Sequence, residues 1–298
     1  MNLFRVLIAL LAISLTITSA KSDDIAQSLK NSLGILNALY FNRTADCKFI
    51  DPITASQINC SGVIIHGKEF DEEHAWIPNQ SNPRKAVSFS YLRYDIPTNQ
   101  LYEPSGFIYN QFRNNTSVKL DYYCIYPFDA FSSMPTYHPA SSHGCGFPDV
   151  QNGNVEHQQK DGSFASCPSV SIKTSDEFIN KYVPGPVSVP FVPEACSFDA
   201  NEYERFKASV EVQIKKASPY WNELITSIWT EEEAASIPIT AFFYMSDGKG
   251  RDDALGFQKD YCNMYKKFIP VVILDFTQRV PSQSLAFTGK EEEQQSCN

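Results

Sequence analysis

Two short segments between residues 62 and 95 hold the densest group of chemically active side chains in the chain. Gly62–Gly67 and Ala86–Tyr94 both have the composition of a β-strand, and the second alternates apolar residues with serines, as a half-buried strand does. Ser88 and Ser90 therefore lie on one face of that strand. Serines in strands also commonly do no more than pair across a sheet, so a structural role is the alternative.

Other side chains of this stretch could bind a ligand. His66 stands at the end of the first segment, His74 and Trp76 lie in the loop that follows, and Tyr91 and Arg93 follow the serines. A guanidinium binds phosphate through charge-assisted hydrogen bonds, and an aromatic side chain stacks on a flat ring. For an arginine at the end of a strand, a salt bridge is an equally good alternative.

A second chemical cluster is Trp221–Trp229, in which Glu223 stands between two tryptophans. A carboxylate beside indole rings and the amide of Asn222 can stabilise the positive charge that develops on a ribose when its glycosidic bond breaks. The pattern predicts a helix over Tyr220–Thr230, and a glutamate on a helix surface is often only solvated. The chemistry therefore depends on whether Glu223 and the two serines share a cleft.

Several common catalytic motifs are absent from the sequence. It has no Gly-x-Ser-x-Gly elbow, P-loop, His-Glu-x-x-His or Gly-x-Gly-x-x-Gly pattern. His138 and His143 lack a believable set of further ligands, so no metal site is predicted. A hydrolase that uses Ser88 or Ser90 with a histidine would need an oxyanion loop that the sequence does not reveal.

Residues 1–20 have the pattern of a secretory signal peptide, with Arg5 followed by the apolar stretch Val6–Ile17 and a small residue at Ala20. An uncleaved anchor is the alternative. No later segment has the roughly 18 uninterrupted apolar residues of a membrane span. These features predict an exported chain, secreted or periplasmic, without a membrane partner. The net charge of −9 disfavours a nucleic-acid partner, since phosphate binding needs a basic face.

The chain contains eight cysteines, at positions 47, 60, 124, 145, 167, 196, 262 and 297. In an exported chain they predict disulfide bonds more than a metal site. We expect Cys47–Cys60 to close a small loop before the first strand and Cys262–Cys297 to tie down a polar tail at 285–298. The rest of the connectivity does not follow from the spacing.

The remaining patterns alternate between helix and strand. Helices are predicted over Asp23–Phe41, Ser175–Tyr182, Asp199–Ala217 and Asp253–Phe268, with Asp199 as an N-cap. Strands are predicted over Ser105–Phe112, Val118–Phe128, Ile237–Met245 and Ile269–Phe276. Residues 131–195 have the irregular composition of a loop-rich insertion. The sum predicts an α+β fold, with residues 21–298 as a single disulfide-stabilised catalytic domain.

Nine short blocks, taken together, resemble the halovibrin family, exported bacterial proteins associated with ADP-ribosyl transfer and NAD glycohydrolase activity. The blocks are SGVIIHG, HAWIPN, VSFSYLRYD, SGFIYN, YYCIYPFDA, GCG, CSFD, WNELITSIW and IPITAFFYM. The resemblance covers most of residues 44–275 in the same order. One departure is His66, where the family pattern more often has arginine. A histidine is largely neutral at pH 7 unless a neighbour raises its pKa.

The order of parts also resembles ADP-ribosyltransferases at large, which present a basic residue on an early strand, a Ser-x-Ser strand and a later glutamate. Here these parts would be His66, Ser88-Phe89-Ser90 and Glu223, in a mixed-sheet core with flanking helices. The resemblance implies a secreted enzyme that cleaves the nicotinamide–ribose bond of NAD. NAD would be the substrate, and water or a host protein side chain would be the acceptor.

In this hypothesis the carboxylate stabilises the cation, the serines position the ribose or the amide, a basic residue holds the pyrophosphate, and an aromatic residue stacks on a ring. The catalytic candidates are Glu223, Ser88 and Ser90. The substrate-binding candidates are His66, His74, Trp76, Tyr91 and Arg93. The alternatives are a secreted hydrolase of another substrate and an exported protein that only binds its ligand.

Overall fold

The described part of the chain comprises nine segments of a computed structural model. These are residues 23–41, 61–68, 74–78, 86–110, 120–129, 165–187, 192, 195–277 and 286–297. The predicted Cys47–Cys60 bond, the signal peptide, and His138 and His143 lie outside the described residues. So does most of the predicted insertion at 131–195.

Four helices and nine strands form the described structure, which is an α+β fold as the sequence predicts. The helices are α1 (23–41), α2 (Ser175–Tyr182), α3 (Tyr203–Lys216) and α4 (Arg251–Tyr265). The first strands are β1 (Val63–Gly67), β2 (Ala86–Leu92), β3 (Ser105–Tyr109), β4 (Tyr122–Tyr126) and β5 (Phe198–Asp199). The later strands are β6 (Glu223–Ser227), β7 (Ile239–Met245), β8 (Val271–Leu274) and β9 (Phe287–Thr288). None of these helices is long and apolar enough to cross a membrane.

All nine strands join one mixed sheet in the order β5-β4-β6-β2-β1-β3-β7-β8-β9. Neighbouring strands are antiparallel except β7 and β8, which are parallel and are connected through α4. Strand β2 has a special place, because its first half pairs with β6 and its second half pairs with β1. The Ser-x-Ser segment therefore lies where the two halves of the sheet meet.

The sheet is covered on both faces, and each face carries its own core. On one face, α3, α4 and the loop at 74–78 bury rings of the central strands, including Phe89, Tyr91 and Phe107. On the other face, α1 buries Leu29, Leu36 and Tyr40 against β1, β3 and β7. A third and smaller cluster lies beside β2, β4 and β6, and consists of Ala86, Cys124, Tyr126, Ala165 and Ile225.

The predicted helix over Tyr220–Thr230 is wrong, because this segment forms strand β6. Leu224 belongs to the core of one face and Ile225 to the small cluster of the other, so apolar side chains are needed at consecutive positions. A short apolar run with both faces buried has no period-two alternation and cannot be told from a buried helix by pattern alone.

The predicted N-cap of α3 is also wrong. Asp199 ends strand β5, and its carboxylate accepts a hydrogen bond from the Asn201 backbone at 2.7 Å, which stabilises the turn before the helix. Glu202 occupies the N-cap position of α3. An aspartate satisfies a backbone N–H equally well in a turn and at a helix end, so its sequence signal does not separate the two places.

Two disulfide bonds join described residues. The predicted Cys262–Cys297 bond is confirmed, with its Cα atoms 5.5 Å apart. A second bond, Cys167–Cys196, was not predicted and links the 3₁₀ turn before α2 to the segment that leads into β5. Cys124 is also disulfide-bonded. Such bonds are typical of extracellular and periplasmic proteins.

The polar tail at 286–297 is docked onto the sheet. The Gln294 amide accepts from Val271 N at 2.9 Å and donates to Val271 O at 3.0 Å, so it replaces a neighbouring strand at the start of β8. Tyr244 donates its phenolic proton to Glu293 at 2.9 Å. Burial and this carboxylate raise the pKa of Tyr244 to about 12, so the phenol keeps its proton at neutral pH.

Candidate functional site

Ser88 and Glu223 are in direct contact across two neighbouring strands. Ser88 on β2 donates its hydroxyl proton to Glu223 Oε1 on β6, with 2.5 Å between the oxygens. The register pairs Phe89 with Leu224, so Ser90 comes opposite Glu223 and Ser88 lies on the same face one step further along. The structure therefore brings together the carboxylate and Ser88, which are 135 positions apart in sequence, with Ser90 on the same face.

Glu223 is the first residue of its strand and is 5% exposed. Across the other edge of β6, the register pairs it with Tyr126 of β4. Directly opposed residues point to the same face of a sheet. The carboxylate is thus flanked by Ser90 on one side and Tyr126 on the other, next to the smallest of the three buried clusters.

His66 contacts the same strand from the opposite face. Its ring lies between Phe89 and Phe107, with centroids at 5.3 and 5.2 Å. Its Nδ1 atom donates to the backbone oxygen of Ser88 at 2.8 Å. Strands β1 and β2 pair up to Ile65 and Ser90, and the imidazole bridges them just past that point. His66 therefore holds the backbone of Ser88, while the Ser88 side chain holds Glu223.

Tyr91 is part of the core. Its ring is fully buried and packs edge-on against Phe206 of α3 at 4.9 Å. Its hydroxyl donates to Ser61 O at 2.8 Å, and burial raises the pKa of this phenol. Gly62 leaves room for the ring, because a Cβ atom at this position, where φ is +73°, would overlap it. The structure does not bring Tyr91 to a surface where a substrate ring could stack.

Trp76 and His74 also lie apart from the Ser88–Glu223 contact. Trp76 is fully buried among aromatic residues of β7 and α4, with its ring 5.5 Å from Phe242. Its backbone oxygen accepts a hydrogen bond from the Trp229 indole at 2.9 Å. His74 stacks on Trp76 at 4.9 Å. Both side chains belong to the face of the sheet opposite Glu223.

Arg93 forms an ion pair with Asp95. Its Nε and a terminal nitrogen contact the two carboxylate oxygens at 2.5 and 3.0 Å, and the side chains are 17% and 19% exposed. A two-point pair of this kind occupies the edge of the guanidinium that would bind a phosphate. The geometry favours the salt-bridge alternative for Arg93.

Replacing Arg93 with alanine is expected to lower stability and to leave substrate binding unchanged. The loss of two charge-assisted bonds at a mostly buried pair should cost about 2 kcal/mol in the free energy of unfolding, measured by urea denaturation. The control is Lys249→Ala, since Lys249 forms an ion pair of the same spacing with Asp247 but is 74% exposed. We expect no measurable change there. An Arg93→Ala protein that is as stable as the parent but has a raised KM would show that Arg93 binds the substrate.

Two further residues at this site, Tyr126 and Asn222, were not among the candidates predicted from the sequence. Tyr126 had no distinguishing signal, because one tyrosine in a strand of aromatic residues reads as core. Asn222 was noted only as a neighbour of Glu223, yet its amide joins β6 to Tyr91 and to Gln213 of α3. Within the residues that the structure describes, no group of three or more His, Cys, Asp or Glu side chains could hold a metal ion.

Comparison with known proteins adds no relative. No family model matches the chain, and no curated protein or solved structure is significantly similar to it.

Proposed function

We propose that this chain is a secreted enzyme of the halovibrin type that cleaves the nicotinamide–ribose bond of NAD. The observation that carries the proposal is the 2.5 Å contact between Ser88 and Glu223. The proposal requires a serine strand and a glutamate to share one site. Glu223 on a strand beside the Ser-x-Ser strand fits the order of parts in ADP-ribosyltransferases better than a helical Glu223 would.

The chemistry follows from charge. When the bond between C1′ of the ribose and the pyridinium nitrogen breaks, nicotinamide leaves with the bonding electron pair and becomes neutral. Positive charge then develops on the ribose. Glu223 supplies a fixed negative charge for this state, and the Ser88 hydroxyl orients the carboxylate by donating to it. Water adds to C1′ and releases a proton, which gives ADP-ribose.

The roles of the other candidates are unequal in this proposal. His66 binds the backbone oxygen of Ser88 from the opposite face of the sheet, and so fixes the serine that donates to the carboxylate. Ser90 lies on the same face as Glu223 and donates to the Asn222 backbone oxygen at 3.3 Å. Tyr91, Trp76 and Arg93 stabilise the surrounding fold.

Incubation with NAD tests the proposal. We expect purified protein to release free nicotinamide in many turnovers, with ADP-ribose as the second product, both followed by liquid chromatography. Activity should survive EDTA, because the leaving group is a pyridinium that departs as a neutral molecule and needs no Lewis acid. NAD labelled in the adenylate part separates the two acceptors, since transfer to protein places the label on a polypeptide.

Two results would contradict the proposal in different ways. Saturable NAD binding without nicotinamide release would favour an exported binding protein. Loss of activity in EDTA that zinc or another divalent ion restores would favour a metal-dependent hydrolase. A matched assay of Glu223→Gln identifies whether any activity arises at this site.

A further inference from the structure

The side chain of Asn222 continues the pairing of β2 and β6 past the point where their backbones stop. Its Oδ1 accepts from Tyr91 N at 2.7 Å, and its Nδ2 donates to Tyr91 O at 2.7 Å. These are the two bonds that the backbone N–H and C=O of one residue on the neighbouring strand would make in an antiparallel sheet. The amide is 1% exposed and lies one residue before Glu223.

Helix α3 holds this amide in place. Gln213, which is fully buried, accepts a second hydrogen bond from Asn222 Nδ2 at 2.8 Å. Its own amide nitrogen donates to Tyr220 O at 3.2 Å, and that oxygen also accepts from Thr98 at 3.1 Å. The chain before Glu223 is thus held by α3 and β2 together.

We infer that Asn222 is the positioning residue of the site, and that its amide, held by Gln213, sets Glu223 against Ser88. The inference rests on the proposed function, since it concerns the carboxylate that is proposed to act on NAD. Glu223 is the first residue of its strand, and strand ends are where pairing opens first. The amide closes that end, so the carboxylate keeps one distance from the serine.

The test is Asn222→Asp, which keeps the shape of the side chain. One carboxylate oxygen can still accept from Tyr91 N, whereas the other faces the oxygens of Tyr91 and Gln213 and repels them. We expect the end of β6 to shift and kcat for NAD cleavage to fall about 10- to 100-fold, since a displacement near 1 Å costs this much. KM should stay within about threefold, because the amide does not touch the substrate.

The chain contains a matched control. Gln294 pairs with Val271 N and O through the same amide device, but at β8, and four strands separate β8 from β6. Gln294→Glu makes the same chemical change, so we expect a similar fall in melting temperature. Its kcat should stay within about twofold of the parent when both proteins are folded. If the Asn222→Asp effect came only from lost stability, kcat would fall equally in both variants.

Structure determination of Asn222→Asp provides a readout that does not need activity. We expect the Ser88 Oγ to Glu223 Oε1 distance to exceed about 3.5 Å, beyond hydrogen-bond range. An unchanged contact, or an unchanged kcat, would overturn the inference. If the parent protein does not cleave NAD, the proposed function fails and this distance alone decides the positioning role.

If Asn222→Asp does not fold, Gln213→Met is tested in its place. This change removes the hold from α3 but leaves the Asn222 pair with Tyr91, and Tyr220 O keeps its bond from Thr98. We expect kcat to fall by about three- to tenfold with KM unchanged. A parental kcat in this variant would overturn the role of Gln213, and with it the inference that α3 positions Glu223.

Discussion

Replacing Glu223 with glutamine is expected to lower kcat for NAD cleavage by about 10²–10³. The glutamine keeps the length of the side chain, and its amide oxygen can still accept the proton of Ser88. Only the negative charge is lost, at the place where the proposed reaction develops positive charge on the ribose. Because this interaction strengthens in the transition state, KM should stay within about twofold.

Initial rates of nicotinamide release over a range of NAD concentrations measure both constants. Glu232→Gln is the control, since Glu232 lies in an exposed turn after β6 and loses the same charge. We expect its kcat to match the parent. A folded Glu223→Gln protein with the parental kcat would remove this carboxylate from the chemistry. Asp95, the next carboxylate after the serines, is already paired with Arg93.

Removing the Cys262–Cys297 disulfide is expected to have the largest effect on stability. The bond joins residues 35 positions apart, and closing a loop of this size restricts the unfolded chain by about 4 kcal/mol. The double variant Cys262→Ser/Cys297→Ser should lose most of this free energy of unfolding, measured by urea denaturation. Its kcat should not change at a temperature where it is folded, because α4 connects β7 to β8 and four strands of the sheet separate β8 from β6.

Ser296→Ala is the control, because it changes a small side chain of the same tail and leaves the disulfide in place. Ser296 is exposed, so the loss of its hydroxyl should not affect stability. It should unfold at the parental urea concentration. A double cysteine variant as stable as the parent would show that the contacts of Gln294 and Glu293 hold the tail without the bond. The two outcomes therefore separate the covalent part of the docking from the hydrogen-bonded part.

Most elements of the fold could be predicted from local pattern. The helix over Ser175–Tyr182 has a capping box formed by Thr174 and Glu177, and its predicted and observed bounds agree. Strand β2 alternates serines with aromatic residues because one of its faces packs into the apolar core and the other carries polar side chains. Where one face is apolar and the other polar, the period of the sequence reports the secondary structure directly.

Local pattern failed at β6, a short strand with both faces buried, although it identified the longer buried strand β7. In β6 the consecutive apolar residues Leu224 and Ile225 pack into different clusters, so the segment has no period that distinguishes strand from helix. The error also placed Glu223 on the wrong kind of element. A residue on a helix surface has no partner fixed by strand pairing. A residue on β6 has one paired residue on β2 and another on β4.

The sequence by itself determined the types of the candidate residues and the α+β class, and it favoured the Cys262–Cys297 pairing that the structure has. Only the tertiary structure decided which candidates meet. Strand order and register place Ser88 against Glu223 and turn Tyr91 into the core on the opposite face, where the loop at 74–78 also buries Trp76. The physical reason is that ladder pairing is set by hydrogen bonds and packing between distant segments. A shift of one residue would move Ser88 to the other face, so no local pattern contains this information.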